Sequence, residues 1–391
     1  MEQLQPGHGN QTPSLFHLFI TFLGLGATAF GGPAMVAYIR KMAVEKKHWL
    51  DEHSARDGVA LCQTIPGATA MQMSAYVGLR AGGVGGAAAS FIGFGLPTFL
   101  IMMILSALYA RTHSLPSVVS IFNGLQVIVV ALVSNATLSF GRTSIKNLKN
   151  AIHAIIAAGL FWLKLSPILV IVVAAFLGMI LYDKQPFSPA EGTTRRAYAP
   201  KSLLSILFVT ALGFTAFYYL DRRLFDLATL MFRIDLFAFG GGFASVPLMF
   251  HEVVEVRKWL DGPTLLNGIA LGQVTPGPIV ITATFIGYML KGPLGGVIAT
   301  ISVFLPSFMI VVGIVPYFDR LRSSPYFKKV ITGILCSFVG LLLTVTIRFA
   351  LDIPWDIARI LLSGATFVAL ILKVDILWAV LIGTIISLIV L

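Results

Sequence analysis

The chain is 391 residues long, 57% hydrophobic and only 12% charged, with a formal net charge of +11. A soluble domain averages about 25% charged residues, so this composition excludes a soluble fold, and the alternating segments of a β-barrel are missing too. The basic excess falls in short loops between apolar runs, the positive-inside pattern of a membrane protein, so a lipid bilayer and not nucleic acid is the expected partner.

Residues 1–13 are polar, carry Pro6, Gly7, Gly9 and Pro13, and read as a surface tail. An apolar run follows over 15–30. No Lys or Arg precedes it, so it is expected to be a retained element and not a signal peptide. The run stops at Gly31-Gly32-Pro33, resumes over 34–42, and gives way to a charged stretch at 45–57. Residues 59–79 are apolar but interrupted by Pro66-Gly67. The long span 83–109 opens on Gly and Ala, which permit close helix packing. The next span, 118–140, carries Asn123, Gln126 and Asn135 as interhelical glue. Two short spans, 151–163 and 167–182, are joined by Lys164-Leu165-Ser166. Residues 183–201, with Pro186, Pro189 and Pro200, read as a linker, and 203–220 is a span with no counterpart in the first half.

After that span the pattern returns, as an internal repeat. Ala29 corresponds to Ala238, an offset of 238 − 29 = 209, which also pairs Pro97 with Pro306, Pro116 with Pro325 and Gly124 with Gly333. One inserted residue makes the offset 210 between the breaks. There Glu45 pairs with Glu255, Trp49 with Trp259, Asp51 with Asp261, Gln63 with Gln273, and Pro66-Gly67 with Pro276-Gly277. The units are a tail (1–13), a first repeat (14–182), a linker (183–201), a connecting transmembrane helix (202–220) and a second repeat (221–391). An even repeat followed by one span starts the second copy on the opposite side of the bilayer. The predicted fold is an all-α polytopic membrane protein: two inverted-topology repeats of about six hydrophobic elements each, with broken helices, joined by one extra transmembrane helix. Whether the broken elements cross or re-enter stays open.

If they cross, Arg142, Lys146, Lys149, the linker, Arg257, Lys258 and the 320–329 stretch share one side. Arg222, Arg223, Lys291 and the Arg40–Lys47 cluster share the other. The first side is the more basic, which places it in the cytoplasm, with the N-terminus inside and the C-terminus outside. The Arg40–Lys47 cluster runs against that assignment.

Glycine pairs and proline interrupt helices, and in lipid a broken helix is tolerated only where protein or a water-filled cavity satisfies the freed backbone. Matched breaks in two halves point to a binding site near the bilayer midplane. Each break exposes a helix N-terminus, whose unpaired N–H groups and positive dipole end suit an oxyanion. One end is worth only ~0.3–2 kcal/mol, against an ideal desolvation cost on the order of 20 kcal/mol for a single ion. Several ends must therefore converge. The expected binding residues are Phe30, Gly31, Gly32 and Pro33 at the first break, and Gln63, Thr64, Pro66 and Gly67 at the second. In the second repeat they are Phe239, Gly240, Gly241 and Gly242, then Gln273, Thr275, Pro276 and Gly277. Arg233 and Asp235, costly inside an apolar segment, and the paired Glu45 and Glu255 are candidates for coupling or gating. Asp51 and Asp261 read as helix caps, and Trp49 and Trp259 as interfacial anchors. Cys62 and Cys336 lie in apolar segments and the histidines lack ligand spacing, so no disulfide or metal site is expected. Without a phosphate-binding loop or a nucleophile–base pair, neither a cofactor nor an enzymatic activity is expected.

Phe-Gly-Gly-Pro at 30–33 and Phe-Gly-Gly-Gly at 239–242, each followed by Glu-x3-Trp-Leu-Asp and then Gln-x2-Pro-Gly, resemble the chromate ion transporter family in its long-chain bipartite form. The resemblance runs from about Thr21 to the end of the chain. It implies a secondary active exporter or antiporter of chromate, a tetrahedral oxyanion, in the bacterial inner membrane, conferring chromate resistance. Sulfate has the same shape and charge and is the natural competitor. The alternatives are a transporter of sulfate or another oxyanion, and an anion channel; a homodimer stays open. The halves differ at Pro33 and Gly242, at Ala68 and Pro278, and where Gly24 and Gly26 face Arg233 and Asp235.

Overall fold

A computed structural model describes residues 13–30, 33–182, 200–318 and 324–390. Gly31 and Gly32, nearly all of the tail and most of the linker lie outside the described residues. The first repeat comprises α1 (Leu15–Thr28), α2 (Pro33–Lys41), α3 (Glu52–Thr64), α4 (Thr69–Thr112), α5 (Pro116–Ser144), α6 (Leu148–Trp162) and α7 (Pro167–Leu181). After α8 (Pro200–Leu220), the second repeat comprises α9 (Arg222–Leu236), α10 (Ser245–Met249), α11 (Gly262–Val274), α12 (Thr282–Ile314), α13 (Pro325–Leu351), α14 (Ile357–Ile371) and α15 (Ile376–Val390). A π-helical turn extends α2 over Met42–Lys46 and α10 over Phe250–Val256.

The broken elements fold back instead of crossing. From the break at 65–68 the chain returns alongside α3: Tyr76 Oη donates to the Ser54 carbonyl at 2.9 Å, and Arg80 reaches Ser54 Oγ at 3.2 Å. Tyr76 also packs on Gly58. The second repeat repeats this, with Phe285 on Gly268 and Thr282 on Gly272. Likewise α2 and its π-turn return along α1, where Lys47 lies 3.4 Å from His17 and Trp49 stacks on Phe22. Asp51 and Asp261 cap α3 and α11, accepting from Ser54 N at 2.7 Å and Thr264 N at 2.8 Å. Each repeat thus holds two helical hairpins with broken tips.

Reversal inside α4 completes the pattern. Gly82 and Gly83 leave helical geometry, and Gly83 takes φ +67°. Ser90 Oγ then donates to the Ser74 carbonyl across the turn at 2.8 Å. The limb 84–112 runs parallel to α1, which it meets through glycines. A Cβ on Gly93 would lie 2.5 Å from the Phe19 carbonyl, and Gly26 abuts the Phe94 carbonyl. Lys291 and Gly292 make the same turn in α12.

This folding-back corrects the side assigned to two loops. The limb 84–112 leaves the end of the molecule where α1 begins, and α5 returns to it. The Arg40–Lys47 cluster therefore shares an end with Lys146 and Lys149, whereas Arg257 and Lys258 lie at the other end. The cluster no longer opposes the positive-inside pattern.

Among the described residues, five helical stretches are long and apolar enough to cross a membrane: Thr69–Thr112 and Val118–Ser144, then Leu203–Leu220, then Ile279–Ile314 and Pro325–Leu351. Two fall in each repeat and one between. Helices α6, α7 and α14 have 15 residues each, about 22 Å, too short to cross ~30 Å of hydrocarbon upright.

The repeats exchange partners. Helix α13 packs on α6 and α7 of the first repeat, α5 packs on α14 and α15 of the second, and α4 packs on α12. Small residues again permit the approach. Gly340 abuts the Ala154 carbonyl, Gly333 the Ala174 carbonyl, and Gly124, the counterpart of Gly333, abuts Ser387. Gln126 donates to Asn267 at 2.9 Å, tying α5 to α11 as interhelical glue.

Candidate functional site

The four broken tips meet at the centre, and each pairs with a tip of the other repeat. Gly67 N donates to the Ala238 carbonyl at 2.9 Å, and Gly277 N donates to the Ala29 carbonyl at 3.0 Å. Pro66 and Phe239 form an antiparallel bridge. These are symmetry mates: Ala29 corresponds to Ala238, and Gly67 to Gly277. The reciprocity is that of a two-fold interface, where i contacts j and j contacts i.

Glycine is required at the tips. Gly67, Gly240, Gly241 and Gly277 have φ of +120°, +93°, +99° and +107°, a region where a side chain is strained. A Cβ would collide with Ser307 at Gly67 and with Thr98 at Gly277.

A cavity of about 330 Å³ lies among the tips, lined by Arg40, Gln63, Thr69, Gly241, Gln273 and Thr275, among others. The residues opening the helical segment after each break also line it: Met35 and Val36, Thr69 and Ala70, Gly242 and Phe243, Pro278 and Ile279. All four helix starts thus converge on one space. Gln273 lines the cavity, and its Nε2 is buried without a partner among the described residues. The hydroxyls of Thr64 and Thr275 donate within their own helices, to the Ala60 and Gly272 carbonyls at 2.5 and 3.0 Å, which leaves them only acceptor capacity toward a ligand. Arg40 hydrogen-bonds Glu52.

A wider vestibule of about 960 Å³ shares Gln63, Thr69, Phe140 and Gly240 with the cavity, and Lys146, Lys149, Lys328 and Lys329 line it. Among the described residues its lining includes no Asp or Glu. On the symmetry-related face Arg348 stands where the first repeat has Ser139, and it bonds Glu255 and the carbonyls of Phe161 (3.0 Å) and Trp162 (3.2 Å). His251 Nδ1 lies 3.0 Å from the other oxygen of Glu255. The counterpart Glu45 is exposed and forms no ion pair among the described residues. Arg233 lies 3.8 Å from Glu252, which is also paired with Arg257. Sequence reasoning singled out Glu255 and Arg233 but missed Arg348, Glu252 and His251. Arg348 was findable as an arginine inside an apolar run.

Interlocked repeats and broken helices that meet around a central cavity are the plan of a membrane transporter. Residues 16–179 and 225–388 each match the description "Chromate transporter". An uncharacterized transporter of Methanocaldococcus jannaschii is 45% identical over 96% of this chain and 94% of its own length. A chromate transport protein of Cupriavidus metallidurans is 29% identical over 94% and 90%, and a probable chromate transport protein of Synechococcus elongatus 28% identical over 85% and 84%. No solved structure matches the chain. The chain belongs to the chromate transporter family.

Proposed function

We propose that this protein is a secondary active transporter that exports chromate, with sulfate as the competing tetrahedral oxyanion. The observation that carries the reading is the convergence of four helix starts on one cavity lined by Gln63 and Gln273. A dianion is met there by several positive dipole ends at ~0.3–2 kcal/mol each, by amide donors and by Arg40. The relatives named for chromate transport support the choice of substrate.

The lysine-lined vestibule supports the direction. It opens at the end carrying the Arg40–Lys47 and Lys146–Lys149 clusters, the more basic end, which the positive-inside rule assigns to the cytoplasm. Anions are loaded from inside, and the inside-negative potential drives them out by ~2.3 kcal/mol per charge per 100 mV, so roughly twice that for a dianion. Within this reading the N-terminus is cytoplasmic, the C-terminus is periplasmic, and the repeats are inverted. Uptake of labelled chromate into inside-out vesicles tests it. The expected result is saturable uptake, reduced by excess sulfate and increased by an inside-positive potential. Conductance at channel rates without saturation would favour an anion channel, and absence of chromate uptake would sink the proposal.

A further inference from the structure

Asp235, at the end of α9, is fully buried, and the anion-binding reading does not use it. Its Oδ2 accepts from Ser307 N at 2.9 Å and Ser307 Oγ at 2.7 Å. Its Oδ1 is buried and has no partner among the described residues. Gln72, also fully buried, sits beside the same tip. Its Nε2 donates to the Pro66 carbonyl, and its Oε1 is likewise without a partner. The position of a Cβ on Gly67 would lie 2.5 Å from Gln72 Nε2 and 3.2 Å from Asp235 Oδ2, so the two side chains flank one glycine. Two unused acceptor oxygens, one of them a carboxylate's, border one tip. An uncompensated carboxylate in a low-dielectric interior is strongly disfavoured.

No described lysine, arginine or histidine forms an ion pair with Asp235. On α9, Arg233 is engaged with Glu252; on α12, Lys291 is held by Asp221. Helix α8 carries no charged residue over 202–220. What faces the carboxylate is Ser307, Gly67, the Ala68 backbone N–H and Gln72. The two-fold counterpart holds no charge. Gly26 stands for Asp235, Thr98 for Ser307 and Thr282 for Gln72, and both threonine hydroxyls donate to carbonyls, those of Pro276 at 2.5 Å and Ile279 at 2.8 Å. The acceptor pair therefore occurs once, and it is not required to build a tip.

We propose that Asp235, with Gln72 beside it, forms a monovalent-cation site, taking a proton or a Na⁺ ion, that couples cation movement to the anion cavity. The link is short. Ala68 N donates to Ser307 Oγ at 2.9 Å, and the next residue, Thr69, lines the anion cavity. Binding of the cation neutralises Asp235 and holds the 65–68 tip; its release leaves a charge that draws on the same donors. Unwound backbone beside a carboxylate is a setting in which transporters hold coupling cations. This inference rests on the transport reading above, so its test has one readout that does not depend on chromate.

The purified full-length chain is melted in NaCl and in choline chloride at equal ionic strength, each at acidic and at neutral pH, and then reconstituted for chromate flux. The wild type is expected to gain Tm with Na⁺, or with acid independently of Na⁺; the two arms distinguish the metal ion from the proton. Asp235→Asn is expected to lose that response, and to lose the dependence of flux on the corresponding gradient, while still binding chromate. Gln72→Met is expected to weaken the response, and it serves as the readout if Asp235→Asn does not fold. Equal Tm responses in the wild type and both variants, or a wild type indifferent to Na⁺ and pH, overturn the proposal. A cation-dependent Tm without chromate flux would instead sink the chromate reading and leave this site standing.

Discussion

At the scale of single residues, the glycines separate into those that hold the backbone in an unusual conformation and those that merely leave room. Gly241 has φ +99°, and its Cβ would meet Thr69 Oγ1 at 3.0 Å inside the cavity. Gly241→Ala is expected to weaken chromate binding about tenfold, equivalent to ~1.4 kcal/mol, as measured by titration of the purified protein. Gly93→Ala is expected to destabilise, because the new methyl would lie 2.5 Å from a carbonyl of α1. Gly85→Ala, by contrast, places its methyl 3.5 Å from Leu15, an ordinary contact, and should leave Tm unchanged. A string of glycines in the sequence does not tell these cases apart, because the distinction lies in which neighbour faces each one. Asp221 makes a different kind of prediction. The hydrogen bond from Lys291 Nζ, 2.7 Å away, holds its carboxyl below the ordinary carboxylate range, with smaller help from the Leu224 and Arg223 backbone. A depressed folded value means a stabilisation present at neutral pH and lost as pH falls through that lowered value. Lys291→Met should therefore flatten the acid limb of a Tm-versus-pH profile, and an unchanged limb would show that the pair contributes nothing.

At the scale of elements, the sequence revealed that α1, α3, α9 and α11 end in breaks, because Gly-Gly and Pro-Gly announce a stop locally. The direction taken after each stop was not legible. It depends on Tyr76 meeting Gly58 and Phe285 meeting Gly268, contacts that no local rule encodes. The charge network around Glu255 and Glu252 was only half legible for a related reason. Arg233 stood out but is 42% exposed at its side chain, whereas Arg348 is 12% exposed and holds Glu255 together with two carbonyls of α6. Arg233→Gln should change stability by under about 1 kcal/mol, because the arginine is largely solvated and Glu252 keeps Arg257. Arg348→Gln should cost about 2–3 kcal/mol, below the ~3–5 of a fully buried broken pair because Glu255 keeps His251. The same variant should raise the reactivity of a cysteine placed at Phe349 toward a membrane-impermeant thiol reagent. Unchanged reactivity would mean that Arg348 does not seal the face around Glu255.

At the scale of the whole molecule, the duplication was the most legible feature, since matched offsets survive whatever path the chain takes. Placement of the loops was the least legible, because a hairpin mistaken for a crossing moves the next loop to the wrong end, and only the second hairpin of each repeat restores the count. With the hairpins folded back, cysteines in the 45–57 and 255–267 loops should label from opposite sides of the membrane. Cysteines at 45–57 and 146–149 should label from the same side, and any other outcome would refute the inverted arrangement. The reciprocal hydrogen bonds between tips, Gly67 to Ala238 and Gly277 to Ala29, carry a consequence for biogenesis. When the first repeat has left the ribosome, the groups that complete its tips and the helix that fills the groove between α6 and α7 do not yet exist. The newborn half must wait in the bilayer with polar backbone exposed, a vulnerable intermediate that quality-control proteases would recognise. A chain stopped after residue 199 should therefore be degraded rapidly when made alone, and rescued when residues 200–391 are synthesised beside it as a separate polypeptide.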